Sequence, residues 1–87
     1  QNYPNPFNPT TSIEFEIPLE IDVMINFYNI LGQKIASLDQ GFIKPGNYKT
    51  IWNGKDSKGR IVPSGIYFYE IKAGNQFHKI KKLTLLK

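Results

Sequence analysis

The chain contains few side chains of the kinds that carry out catalysis, and His78 is its only histidine. Nucleophilic catalysis needs a serine or cysteine beside a histidine base, and an acidic group that orients the base. There is no cysteine, and lysines rather than carboxylates surround His78 in the sequence. Glu14 and Glu16 alternate along one segment, which is typical of a solvated strand face rather than an acid–base pair. The sequence therefore predicts a protein that is not an enzyme.

The loop at 53–60, NGKDSKGR, carries side-chain oxygens at Asn53, Asp56 and Ser57. A calcium ion takes about six to eight oxygen ligands, usually with several carboxylates among them. This loop has a single carboxylate and three basic side chains. We interpret it as a turn in which an Asx side chain binds nearby backbone, and no metal or other cofactor is predicted.

Four aromatic side chains could form a platform on which a sugar stacks: Tyr48, Trp52, Tyr67 and Tyr69. All four fall on strand faces that the sequence pattern turns inward, where aromatic rings mainly supply core area. Core packing is the favoured interpretation. A carbohydrate-binding module is retained as an alternative.

The formal net charge of +4 is unevenly distributed along the chain. All charges before Lys34 are acidic, and all charges after Glu70 are basic. Either the two ends form neighbouring strands joined by cross-strand ion pairs, or the basic end is a recognition surface for an acidic partner. Nucleic acid is not a predicted partner, because Arg60 is the one arginine and no nucleic-acid motif is present. No apolar run is long enough to insert into a membrane.

The elements that position these residues are strands, since apolar and polar residues alternate between turn signals. Pro–Gly and Pro–Ser–Gly turns precede Tyr48 and Tyr67, and AGNQ at 73–76 predicts a hairpin turn. After a turn at Gly32, Ile35 is the expected inward residue of the next strand, with a single helical turn in this segment as the alternative. The other residues expected to point inward are Ile13, Phe15, Ile17, Ile21, Val23, Ile25, Phe27, Thr50 and Ile71. Six or seven short strands without a helical period predict an all-β antiparallel sandwich, with a small barrel as the alternative.

A proline-rich lead-in or linker segment, residues 1–10, precedes the predicted sandwich at 11–87. Its prolines exclude a helix or an interior strand and favour a stiff, extended conformation. At least one of Tyr3 and Phe7 is expected to pack onto the domain. The segment is predicted to be a junction with an upstream part of a longer protein.

Several motifs occur in an order that is specific as a combination: NYPNPFNP, YNILGQKIASL, WNGKDSKGR, PSGIYFY and KKLTLLK. With them, the chain resembles the C-terminal sorting domain (type A) of type IX secretion system substrates over essentially its whole length. The WNGKDSKGR and PSGIY segments are also similar to the immunoglobulin-like domain of flagellar hook-capping proteins.

The resemblance implies an immunoglobulin-like antiparallel β-sandwich of six or seven strands. It implies a non-catalytic domain that directs a parent protein across the outer membrane in Bacteroidetes and related bacteria. The implied partners are an outer-membrane secretion translocon, a sortase-like protease and an upstream cargo domain. The implied location is the periplasm in transit, and then the medium or the cell surface. A structural immunoglobulin-like spacer, as in the hook-capping proteins, is a further alternative.

The resemblance also implies a site at the C-terminal end of the chain. The residues that match the terminal signal of the family are Lys81, Lys82, Leu83, Leu85, Leu86 and Lys87. Leu83 departs from the family pattern, in which methionine is common at this position. We expect Leu83 and Leu85 to anchor the last strand in the sandwich and the lysines to lie on its other side.

Overall fold

The structure, a computed structural model, describes residues 10–86, and for Phe77 the backbone alone. In this range six strands form two antiparallel sheets, which confirms the predicted all-β sandwich. No helix within residues 10–86 is long and apolar enough to span a membrane. The expectation for Tyr3 and Phe7 lies outside the described residues. The strands are β1 (Thr11–Ile17), β2 (Ile21–Tyr28), β3 (Lys34–Ile43), β4 (Gly46–Trp52), β5 (Gly65–Ala73) and β6 (Phe77–Leu85).

The two sheets differ in width. One contains only β1 and β4, and the other has the order β3-β2-β5-β6. The acidic strand β1 therefore pairs with β4, and the basic strand β6 pairs with β5. The expectation that the acidic and basic ends are neighbouring strands with cross-strand ion pairs is wrong. The physical reason is that the short turn after Ala73 makes β6 fold back on β5, while β1 pairs with β4 in the other sheet, so the two ends lie in different sheets.

The core lies between the sheets and is built from the alternate residues that the pattern turns inward. Trp52 of β4 is 1% exposed and stacks on Phe27 of β2, with ring centroids 4.3 Å apart. Tyr67 of β5 meets the indole edge-on at 5.8 Å. The buried apolar residues are Ile13, Ile17, Val23, Ile25, Phe27, Ala36, Trp52, Val62, Tyr67, Ile71, Ala73, Leu83 and Leu85.

The four aromatic residues considered as a sugar platform belong to this core. Trp52 and Tyr67 are buried, and Tyr48 and Tyr69 are half-buried against the same cluster. The two tyrosines that follow glycine turns are held in the same way. The Tyr48 hydroxyl donates to the carbonyl of Lys44, and the Tyr67 hydroxyl donates to the carbonyl of Pro63, four residues earlier in each case. These four rings therefore present no continuous exposed stacking surface.

The strand after the Gly32 turn differs from the prediction in one detail. A β-bulge shifts the register, so that Phe27 lies opposite Ala36 and Tyr28 opposite Lys34. An extra residue in one strand displaces the alternation of its side chains. As a result Ala36 is the buried residue, while Ile35 is half-buried against the core.

The loop at 53–60 is a turn closed by Asp56, as predicted. One oxygen of Asp56 accepts hydrogen bonds from the backbone N–H groups of Lys58 and Arg60, at 2.9 and 3.0 Å. The other oxygen forms an ion pair with the Arg60 guanidinium at 3.0 Å. The backbone hydrogen bond from Arg60 is the main cause that lowers the pKa of Asp56. No group of three or more metal-binding side chains occurs among the residues that the structure describes.

The hairpin turn between β5 and β6 requires a glycine. Gly74 has φ of +51°, and its backbone N–H donates to the carbonyl of Asp22 at 2.9 Å. A Cβ at this position would lie 2.9 Å from Cδ1 of Ile21. Both the dihedral and the close approach therefore exclude a larger residue without strain. This turn sets the register in which β6 is presented.

Candidate functional site

The C-terminal strand β6 is an edge strand of the four-stranded sheet. It pairs with β5 along its full length, from Gly65 opposite Leu85 to Ala73 opposite Phe77. Within residues 10–86 its other edge has no strand partner. An unpaired edge presents a row of backbone donors and acceptors to which another strand can bind. The strand is thus held on one side and open on the other.

The two faces of β6 differ from the prediction. Leu83 and Leu85 point into the core and are 9% and 2% exposed. Because side chains alternate along a strand, Lys81 lies on the same face as these leucines, and Lys82 lies on the opposite face. The expectation that the lysines and leucines occupy different faces is therefore correct for Lys82 and wrong for Lys81. Lys81 is nevertheless exposed, since the two-stranded sheet does not cover this part of β6.

The six residues expected at the site thus fall into different environments. Leu83 and Leu85 are core residues, whereas Lys81, Lys82 and Leu86 are exposed. Leu86 is 75% exposed although it is apolar. Lys87 lies outside the described residues. Only the exposed side chains are available to another molecule without unfolding of the strand.

Beside Lys82, the outer face of the four-stranded sheet carries aromatic residues. Phe68 is directly opposite Lys82 in the register and is half-buried. Tyr28 lies opposite Phe68 on the next strand. His78 is an exposed strand residue, as the sequence predicted, and pairs in register with Lys72.

A polar network on this outer face was not foreseen from the sequence. The Ser37 hydroxyl donates to Oδ1 of Asn26 at 2.7 Å, and Nδ2 of Asn26 donates to Oε1 of Glu70 at 3.0 Å. The Tyr28 hydroxyl donates to the same Glu70 oxygen at 3.1 Å. Asn26 is only 6% exposed, so its bonds with Ser37 and Glu70 satisfy a buried amide. The network joins β3, β2 and β5 on the outer face of the four-stranded sheet.

The network changes the acidity of its members. The hydrogen bond from Asn26 is the main cause that lowers the pKa of Glu70, and the hydrogen bond from Tyr28 and the positive charges of His78 and Lys72 act in the same direction. Burial is the main cause that raises the pKa of Tyr28, and its bond to Glu70 adds to the effect. Glu70 therefore remains a carboxylate in the folded protein at pH values where it would protonate in the unfolded chain.

The Glu70 network predicts a pH dependence of stability. A carboxylate whose pKa is lowered by folding stabilises the protein above the unfolded pKa, and this contribution is lost as the pH falls through the folded pKa. We expect Glu70→Gln to lower the unfolding free energy by about 1 kcal/mol at pH 7. The difference should shrink below the ordinary glutamate pKa of 4.5. Urea unfolding from pH 7 to pH 3 measures it.

Asp56→Asn is the matched control, because the pKa of Asp56 is also lowered but Asp56 lies in a different network. Each substitution removes a pH-dependent part of the unfolding free energy. The parts removed by Asp56→Asn and by Glu70→Gln should add in the double variant. If the wild type and Glu70→Gln lost stability in parallel as the pH fell, the proposed role of the Glu70 carboxylate would be wrong.

The solved structures that share the fold of this chain include two FlgD proteins. FlgD from Pseudomonas aeruginosa has a TM-score of 0.72 and 27% identity, covering 87% of this chain and 59% of that one. A truncated FlgD from Helicobacter pylori strain 26695 has a TM-score of 0.68 and 15% identity, covering 92% of this chain and 62% of that one. The chain thus spans about three fifths of each FlgD chain. These matches agree with the relation to hook-capping proteins that the sequence predicted.

A family comparison identifies the chain more directly. The model of the secretion system C-terminal sorting domain matches residues 1–85, which is nearly the whole chain. The search of curated proteins found no match to this chain. The matched range includes the WNGKDSKGR loop, the PSGIYFY strand and most of β6, the segments on which the resemblance rested. The chain therefore belongs to the family of secretion system C-terminal sorting domains.

Proposed function

We propose that this domain is the non-catalytic signal that directs a parent protein across the outer membrane through the type IX secretion system. The observation that carries the proposal is the family match over residues 1–85. The family describes a sorting signal rather than an enzyme. Secretion into the medium or attachment to the cell surface follows from such a signal, with passage through the periplasm on the way.

The geometry of β6 supports two different roles for the residues of the signal: some anchor the strand, and others are exposed for recognition. Leu83 and Leu85 hold the strand against the core, so that its end has a defined position. Lys82 and Leu86 project into solvent from this anchored strand. In this proposal an outer-membrane translocon reads the exposed side chains together with Lys87, and a sortase-like protease acts on the parent protein afterwards.

The test uses a reporter protein fused upstream of the complete chain in a bacterium that has a type IX system. We expect Lys82→Glu combined with Lys87→Glu to leave most of the reporter in the periplasm, because reversed charges repel an acidic receptor surface. Fractionation and immunoblotting measure the distribution. Circular dichroism of the purified domain should show an unchanged melting temperature.

Lys44→Glu combined with Lys49→Glu is the matched control, since both lysines are exposed, lie away from β6 and produce the same change in net charge. This variant should be secreted normally. Normal secretion of the Lys82 and Lys87 variant would contradict the assigned recognition residues. Normal secretion of a reporter that lacks the whole domain would contradict the proposed function itself.

A further inference from the structure

The unequal width of the two sheets leaves an open slot between the edges of β1 and β6. The two-stranded sheet covers only part of the four-stranded sheet, and within residues 10–86 both β1 and β6 have one edge without a strand partner. The slot has a volume of about 590 Å³. Glu14 and Glu16 line it on the side of β1, and Lys79 and Lys81 line it on the side of β6.

The floor of the slot is apolar. It is formed by Phe15, Tyr69 and Ile71, of which Ile71 is buried and the other two are half-buried. In the register, Tyr69 lies opposite Lys81 and Ile71 lies opposite Lys79. Two inward positions of a strand laid beside β1 would therefore each lie near one apolar side chain and one ammonium group. Glutamate suits such a position, because its stem is apolar and its end is a carboxylate.

The charged side chains that line the slot form no ion pair within the part of the chain that the structure describes, and Lys49 lies opposite Glu14 in the register of β1 and β4. Glu14, Glu16, Lys79 and Lys81 form no ion pair or hydrogen bond through their side chains there, and the one ion pair of residues 10–86 is that between Asp56 and Arg60. Lys79 and Lys81 are two residues apart in an extended strand, so their side chains repeat at roughly 6.6 Å. A neighbouring strand repeats its own inward side chains at the same interval.

We propose that this slot is a docking site for an extended strand of a partner protein that carries carboxylates at alternate, inward-facing positions. The strand pairs with the free edge of β1, as in β-augmentation. Its carboxylates bind Lys79 and Lys81, and the basic or neutral side chains between them face Glu14 and Glu16. This inference goes beyond the proposed sorting function, because it assigns to the domain itself a binding site for a peptide strand between β1 and β6.

The test compares two blocked peptides that read the same in either direction. In TKEKEKT the glutamates share one face of an extended strand, and in TEKKKET, which has the same composition, lysines take those positions. We expect TKEKEKT to shift the backbone amide NMR signals of residues 14–17 and 79–81 of the complete 87-residue chain. The binding should weaken as the salt concentration rises, and TEKKKET should bind roughly tenfold more weakly or not at all.

Charge reversal supplies a second measurement. Lys79→Glu with Lys81→Glu should weaken TKEKEKT binding by roughly tenfold or more. Lys34→Glu with Lys44→Glu is the matched control: it makes the same charge change at two exposed lysines that do not line the slot, and it should retain the affinity. Equal binding of both peptides, or no signal change at β1 and β6, would overturn the proposal. Lys79 and Lys81 would then serve only to protect an open edge from pairing. The two proposals can fail separately. A variant that is not secreted but still binds TKEKEKT affects only the proposed function, and a variant that is secreted but no longer binds TKEKEKT affects only this inference.

Discussion

Replacing Trp52 with alanine is expected to leave much of the domain unfolded at 37 °C. The indole is 1% exposed, stacks on Phe27 at 4.3 Å and meets Tyr67 edge-on at 5.8 Å. Removing a buried tryptophan in this way costs about 3–5 kcal/mol. A domain of this size has a total stability of about 4–13 kcal/mol, so the loss is a large fraction of the whole. Urea unfolding followed by circular dichroism measures it.

The neighbouring residue offers the control for this prediction. Ile51 is 52% exposed and points to the other face of β4, so Ile51→Ala should change the unfolding free energy by less than about 1 kcal/mol. Trp52→Phe should fall between the two, because it keeps an aromatic ring but loses the bond from Nε1 to the carbonyl of Lys55 at 3.1 Å. Equal losses for Trp52→Ala and Ile51→Ala would show that the core is not centred on this stack.

Deleting residues 83–87 should also unfold the domain, and not only remove a signal. Leu83 and Leu85 are core residues, and the segment 83–85 pairs with residues 65–67 of β5. Leu85→Ala alone should cost about 2–5 kcal/mol, and the deletion should cost more because it also exposes Tyr67. Thermal unfolding and backbone hydrogen exchange along β5 measure the effect.

Leu86→Ala is the control for the deletion, since this neighbouring leucine is 75% exposed. Its effect on the unfolding free energy should stay within about 0.5 kcal/mol. A deletion variant that kept the melting temperature and exchange protection of the intact chain would disprove the anchoring role of Leu83 and Leu85. If the prediction holds, loss of secretion in the deletion variant reports on folding as well as recognition. Substitutions at Lys82 and Lys87 then become the cleaner test of the signal.

Most of the strand faces were predictable because they depend on neighbours in the sequence. The inward positions Ile13, Ile17 and Ile25 follow from period-two alternation, which the pleat of a strand imposes on any sheet. The turns before Tyr48 and Tyr67 follow from proline and glycine dihedrals. The bulge that buries Ala36 instead of Ile35 did not follow, because it depends on how β3 meets β2.

The candidate site was predicted as a segment but not as a surface. The terminal motif identified residues 81–87, and alternation alone already places Lys81 on the face of Leu83. What the sequence did not reveal is that this face is uncovered at Lys81 and covered at Leu83. The hydrogen bond from Asn26 to Glu70 could also not be predicted from the sequence, since the two residues are 44 positions apart in the chain.

By itself, the sequence determined that the chain is an all-β sandwich, that Trp52 and its aromatic neighbours belong to the core, and that the motifs are those of a sorting domain. These properties depend on local alternation, turn residues and motif order. Only the tertiary structure decided that β1 pairs with β4, that the sheets are unequal, and that an open slot lies between Glu14 and Lys81. Strand order arises from contacts between residues far apart in the chain, and alternation, which is the same in every strand, carries no information about which strands become neighbours.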